Sequence, residues 1–232
     1  MTPFQNSIHR RLATLFDGLS ALPLFVQLGR LNGSMTSDEL VDFAMKSPAI
    51  APLQRRSEFV EYARLVAEQR PGAALEIGSF RGGTLFVLAR LAHRYATVIS
   101  LDLPMSRFGR ICRWAQAPLF HRFTRNGQTL HLLRANSHAK ETFSTVLKLL
   151  NGRRLSVLFI DGDHTYAGVR ADFEMYSPLV RPGGIVAFHD IAPQPFPNEV
   201  ARFWKEIKPG YRHKEIVHST SKDAMGIGVL WL

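Results

Sequence analysis

The sequence predicts an α/β fold with a mostly parallel sheet, and three observations carry that reading. Five short apolar runs, Ala73 to Ile77, Thr97 to Leu101, Leu130 to Arg134, Val157 to Ile160 and Gly184 to Phe188, are each separated from the next by a segment able to form a helix. That alternation belongs to a parallel sheet covered on both faces. The tail breaks the rhythm: Glu215 to His218 and Gly226 to Leu232 are strand-like and joined by a turn-rich Ser-Thr-Ser-Lys-Asp stretch, so an antiparallel C-terminal hairpin closes one edge. Ahead of the first run, residues 1–70 read as a helical extension.

In that extension Ile8, Leu12, Leu15, Leu19 and Leu22 recur at helical spacing, and Ser57 to Gln69 form a second amphipathic run stopped by Pro71-Gly72. Basic residues precede the apolar Leu12 to Leu31 stretch, but Asp17, Pro23 and Gln27 interrupt it and no clear cleavage site follows. It reads as neither a signal peptide nor a transmembrane segment. We expect an amphipathic helix packed on the domain, in preference to one resting on a membrane surface.

A chain of 232 residues, 46% apolar and 21% charged, has the size and composition of one folded α/β domain with an extension. We divide it into the extension, 1–70, and a ligand-binding domain, 71–232. Lysine and arginine number 29 against 19 acidic residues, a formal charge of +10. The basic residues are scattered, however, and no stretch matches a nucleic-acid-binding signature, which argues against nucleic acid as the physiological partner. Cys112 is the sole cysteine, so disulfide, CxxC and cysteine-zinc chemistry are excluded within the chain, and a reducing cytoplasm is the expected location. Self-association into a homo-oligomer is left open.

One segment is too long for an ordinary connection. Pro104 to Gln128 carries Arg107, Arg110, Arg113, Arg122 and Arg125 among Phe108, Trp114, Phe120 and Phe123. We expect it to lie over the site as a substrate-facing insertion.

The strongest local signal is Leu75-Glu76-Ile77-Gly78-Ser79-Phe80-Arg81-Gly82-Gly83-Thr84, a strand, a tight turn and a helix start. Gly78 lets the backbone turn and approach a ligand, and the helix N-terminus beyond favours a carboxylate. Glu76 is a suitable acceptor for an ammonium group. Together with Ser79 in the same turn, these match an amino-acid-bearing nucleoside such as S-adenosylmethionine. The dinucleotide fingerprint fails, because Ser79 and Phe80 stand where its second glycine belongs.

Asp102, twenty-six residues after Glu76 at the end of the second run, is placed to accept both ribose hydroxyls. At the end of the third, Asn136 and Ser137 face the adenine edge or cap a helix starting near His138.

The fourth and fifth runs end in Asp161-Gly162-Asp163-His164-Thr165-Tyr166 and His189-Asp190. On neighbouring strands, Asp161 and Asp190 converge on one hard divalent cation, magnesium or, with His189 as third ligand, manganese. Asp163 reads as the N-cap of the following helix. His164 reads as a general base or an exposed turn residue.

These residues resemble methyltransferase family 24, a bacterial group akin to the cephalosporin hydroxylase-like proteins and to catechol and macrolide-sugar O-methyltransferases. The likeness runs from about Ser57 to Leu232 and is most specific in Phe159 to Tyr166, Tyr176 to Gly184 and Phe188 to Ile191. It implies a Rossmann-like class I methyltransferase fold: a seven-stranded sheet with a reversed terminal strand, S-adenosylmethionine as donor, and in several branches a divalent metal on the acceptor oxygens. By position, Glu76, Gly78 and Asp102 become cofactor contacts, and Asp161 and Asp190 metal or acceptor contacts. Asn136 departs from the aspartate expected in many relatives. The implied activity is O-methylation of a small hydroxylated metabolite or sugar, with Asp161 and His164 catalytic and Asp161 also beside the cofactor. The rivals are a nicotinamide-dependent oxidoreductase and a non-catalytic nucleoside-binding module.

Overall fold

The computed structural model of the protein describes residues 23–31, 35–104, 113–192, 198–218 and 225–232. The first expected helix up to Leu22, the Arg107 to Arg110 part of the insertion, the Pro193 to Pro197 loop and the turn of the C-terminal hairpin lie outside them. Among the described residues no helix is long and apolar enough to cross a membrane.

Residues 23–30 form α1, with Leu24 and Leu28 buried one turn apart. Helix α2 (Ser37–Lys46) begins with a capping box, in which the Glu39 N–H donates to the Thr36 hydroxyl and the Thr36 N–H to the Glu39 carboxylate. Helix α3 (Arg56–Gln69) buries Phe59, Val60, Tyr62, Ala63 and Val66. It stops where Arg70 turns left-handed (φ 44°) before Pro71. Both helices share one apolar cluster with the sheet.

The seven strands are β1 (Ala73–Ile77), β2 (Thr97–Asp102), β3 (Thr129–Arg134), β4 (Leu155–Ile160), β5 (Val180–His189), β6 (Arg212–Ile216) and β7 (Ile227–Trp231), in spatial order β3-β2-β1-β4-β5-β7-β6. The first five are parallel; β7 runs antiparallel to both β5 and β6. Alternate residues serve opposite faces. Ala74, Val157, Phe159, Ile185 and Ala187 join the cluster with α2, α3 and α4 (Gly83–Leu91). Leu75, Ile77, Leu158, Ile160, Val186 and Phe188 join the one with α6 (Lys140–Leu150), α7 (Tyr166–Tyr176) and α8 (Val200–Ile207). Burial on both faces explains why β1, apart from Glu76, and β4, apart from Ser156, read as apolar runs. The chain steps outward from β1 to β3 and returns to β4 on the other side of β1, and such a switch point opens a crevice at the carboxyl ends of the strands.

Several expectations change. Strand β6 starts three residues and ends two residues earlier than Glu215 to His218; it is an edge strand whose Arg212, His213 and Glu215 are exposed, so apolar patterning does not mark it. Helix α7 is capped by Thr165, whose hydroxyl accepts the Gly168 N–H, while Asp163 only accepts from Thr165 N in the turn before it. Helix α6 begins at Lys140 without a side-chain cap, and Asn136 instead accepts the His138 N–H. The described half of the insertion is also not a cover over the site. Helix α5 (Arg113–His121) sends Leu119 and Phe120 into the core, followed by Phe123, which meets Phe86 edge-on at 5.5 Å. Phe120 and Phe123 are packing residues.

Candidate active site

A cleft of about 730 Å³ opens at the carboxyl ends of β1 to β5, within the range of small-ligand sites. Its floor is the turn between β1 and α4. Gly78 is left-handed (φ 87°) and donates its N–H to Leu101 O at 2.9 Å; a Cβ there would lie 2.0 Å from the Asp161 carbonyl oxygen. Only glycine lets the ends of β1 and β4 come this close. Behind the turn, Gly82 (φ 86°) rests on Phe120 and Gly83 on Ile50 and Pro52, which directs the N-terminus of α4 at the cleft. Phe80, at φ 44°, marks strain in the same turn.

Gly78, Ser79 and Asp102 line the cleft. The Ser79 hydroxyl is held by Ser100 at 2.7 Å, so it fixes the turn against β2. Asp102 accepts the Leu103 N–H at 2.8 Å. Burial pushes its pKa up, against Arg134 and the N–H groups of Leu103, Ser79 and Phe80, which draw it down. Glu76 is different: it is fully buried beneath the turn and does not line the cleft, and the neighbouring Ser79 hydroxyl offsets only part of the effect of burial on its carboxyl. Burial pushes it up to about 8. Asn136 and Ser137 line the far wall, with the Ser137 carbonyl accepting the Tyr176 hydroxyl at 2.7 Å.

At the other end Asp161, at the tip of β4, is the hub. Its Oδ1 lies 3.3 Å from His164 Nε2 and 3.3 Å from His189 Nδ1, and its Oδ2 accepts from Gln54 Nε2 at 3.2 Å. Burial alone raises an aspartate, but the two imidazoles hold this one down to about 2. Burial lowers His189, yet Asp161 and Asp190 lift it to about 9; the Asp161 hydrogen bond raises His164 against burial. Asp190 is raised by burial, sits in a left-handed conformation (φ 62°), and keeps a buried Oδ1 without a hydrogen-bond partner. That strain turns its side chain into the cleft.

Among the described residues the group able to hold a cation is Asp161, His164 and Asp190, whose ligand atoms all lie within 4.8 Å of one another. His189 is not in it: its Nδ1 faces Asp161 and Asp190, and its Nε2 is buried without a partner. Two carboxylates with one imidazole suit magnesium and suit manganese better.

Two contributors escaped the sequence reading. Gln54, 5% exposed, comes from the segment between α2 and α3; besides holding Asp161, it accepts from the Thr84 hydroxyl at 3.4 Å. His138 lines the cleft and places Nε2 3.3 Å from Oδ1 of Asp172, a fully buried carboxyl on α7 that burial raises to about 6. His138 was visible as a titratable residue in the Asn136 loop; neither distant partner had a local signal.

A profile of the methyltransferase domain family, family 24, matches residues 75–191. The chain is 30% identical over 116 residues to uncharacterized protein R132 of Acanthamoeba polyphaga mimivirus, covering 50% of each. It is 29% identical over 151 residues, 62% of its length, to uncharacterized protein y4gI of Sinorhizobium fredii, of which that stretch covers 16%. Its aligned portion thus spans half or less of these relatives. Among solved structures it resembles an O-methyltransferase from Bacillus cereus in complex with SAH (TM-score 0.56, 19% identity, 87% of this chain and 93% of that one). It also resembles TomG of Streptomyces achromogenes, an O-methyltransferase of tomaymycin synthesis solved with SAM (TM-score 0.58, 18% identity, 89% and 94%). At such identities the likeness is one of fold, and the fold is that of the class I methyltransferases. With half its length matched and that fold around the match, the chain belongs to the methyltransferase domain family, family 24.

Proposed function

We propose that the protein transfers a methyl group from S-adenosylmethionine to a hydroxyl of a small metabolite, a sugar or another polyol or phenol. The observation that carries this reading is one cleft holding the glycine turn and Asp102 at one end and the Asp161, His164 and Asp190 group at the other. Asp102 takes the ribose hydroxyls, the free N–H groups of α4 face the donor's carboxylate, and Asn136 and Ser137 border the adenine. Glu76, sealed below the turn, acts on the donor's ammonium through the turn and not by direct contact.

The acceptor oxygen attacks the sulfonium methyl in line; a C–O bond forms as the C–S bond breaks, and the acceptor proton leaves to His164 Nδ1, the ring nitrogen that does not face Asp161. Asp161 orients that imidazole, and most of the rate gain comes from alignment. A second reading rests on the same three residues. A magnesium or manganese ion held by Asp161, His164 and Asp190 would lower the pKa of the acceptor hydroxyl. His164 Nε2 cannot hold an ion and donate to Asp161 at once, as the proton-acceptor reading needs, so chelation separates the readings.

A mass-spectrometric methyl-transfer screen across sugars, catechols and other hydroxylated metabolites, with and without chelator, tests the proposal. We expect a mass gain of one methyl on an oxygen, abolished or strongly reduced in Asp161→Asn and Asp190→Asn, with S-adenosylhomocysteine binding retained. Full activity in both variants contradicts the assigned site; chelator sensitivity selects the metal reading.

A further inference from the structure

A second recess, of about 690 Å³, lies between α1 and the turn joining α5 to β3, and shares no lining residue with the active-site cleft. Its charge is one-sided. Arg90, His121, Arg122 and Arg125 line it, and no described aspartate or glutamate does. Among the described residues Arg56, Arg64, Arg170 and Arg202 are ion-paired, while several others, such as Arg94, Arg153 and Arg212, are in no ion pair. Among the described residues the three arginines of the recess have no ion-pair partner.

Part of this group has a structural duty. Arg125 donates to Ala92 O at 2.6 Å and Gln128 to the carbonyls of Ala89, Ala92 and His93, closing the C-terminus of α4. Arg90 donates to Leu31 O and Arg122 O, and Arg122 stacks over Phe25 at 4.4 Å. A guanidinium carries five N–H donors, so these bonds use the smaller share of what the three supply. Arg90 Nε is buried without a partner, and its charge is opposed by burial and by Arg125. Arg90 is partly buried while His121, Arg122 and Arg125 are exposed around it, and like charges gathered without a counter-charge repel one another, a cost that a bound anion removes.

We propose that this recess binds the phosphate group of a phosphorylated small molecule. Guanidinium forks match the paired oxygens of a phosphate, and a concave site of this volume is roomier than one phosphate, leaving space for the molecule that bears it.

The test is a thermal-shift and calorimetric titration of the whole chain with inorganic phosphate, against potassium chloride of equal ionic strength, repeated with Arg122→Gln and His121→Gln. If the dissociation constant is near 1 mM, 10 mM phosphate should raise the melting temperature by about 3 °C beyond the salt control. Each variant should weaken phosphate binding at least threefold while leaving S-adenosylhomocysteine binding intact. That second titration reports the other cleft, so failure of the methyl-transfer reading and failure of this one are told apart. A shift no larger than that of chloride, an undiminished response in both variants, or binding to phosphatidic acid vesicles without binding to free phosphate overturns the proposal.

Discussion

Gly78 lies in van der Waals contact with the backbone of Asp161, so that the glycine turn after β1 and the aspartate at the tip of β4 are one packed unit. Any side chain at 78 must both adopt a left-handed φ and displace the end of β4. Gly78→Ala should therefore cost roughly 2–5 kcal/mol of stability, the sum of backbone strain and overpacking. It should also abolish detectable S-adenosylhomocysteine binding. Denaturant unfolding and calorimetry check it; a variant with wild-type stability and affinity contradicts the contact.

Glu76 predicts a pH dependence of the ligand-free protein. Its folded pKa, about 8, stands above the usual unfolded value near 4.3, so the folded state keeps a proton that the unfolded chain has released. The resulting stabilisation is full below the unfolded pKa and is lost as pH rises through about 8. Melting temperature should fall between pH 5 and 8 in consequence, and Glu76→Gln, neutral at every pH, should flatten that slope. An unchanged slope in the variant would show that other groups carry it.

Gln54 links the N-terminal helices to the catalytic end, because its amide donates to Asp161 and accepts from Thr84. Gln54→Met keeps the volume but leaves Asp161 Oδ2 without this donor, a loss of about 1.5–3 kcal/mol for a hydrogen bond to a charged group. We expect methyl transfer to the acceptor found in the screen to fall about tenfold or more, with S-adenosylhomocysteine affinity within about twofold of wild type. Equal loss of both would make Gln54 a general packing residue.

The parallel strands and the glycine turn were legible because their signals are local: largely apolar runs for strands buried on both faces, Gly78 for a left-handed turn, Asp102 at the tip of the next strand. Edge strand β6, charged on its open face, lacks such a pattern, and the aromatic residues around α5 read the same whether they face a substrate or a core. The capping residue of α7 was misjudged because Asp163 and Thr165 are both good caps and only the backbone path chooses between them. Gln54 reaching Asp161 across 107 positions, and His138 meeting Asp172 on α7, are products of the tertiary fold. His189 was placed among the metal-capable residues by sequence adjacency to Asp190; its Nδ1 lies 3.3 Å from Asp161 and 3.5 Å from Asp190, and the fold brings His164 to the same two carboxylates, which sequence adjacency does not show.

The central claim is that the cleft is built for S-adenosylmethionine with its ribose on Asp102, and calorimetric titration of S-adenosylhomocysteine into wild type and Asp102→Ala tests it most directly. The account predicts single-site binding, weakened in the variant by about tenfold or more, since a hydrogen bond to a charged group is worth about 1.5–3 kcal/mol. No heat of binding at millimolar S-adenosylhomocysteine, with NADH binding in its place, or an affinity that Asp102→Ala leaves untouched, would contradict it.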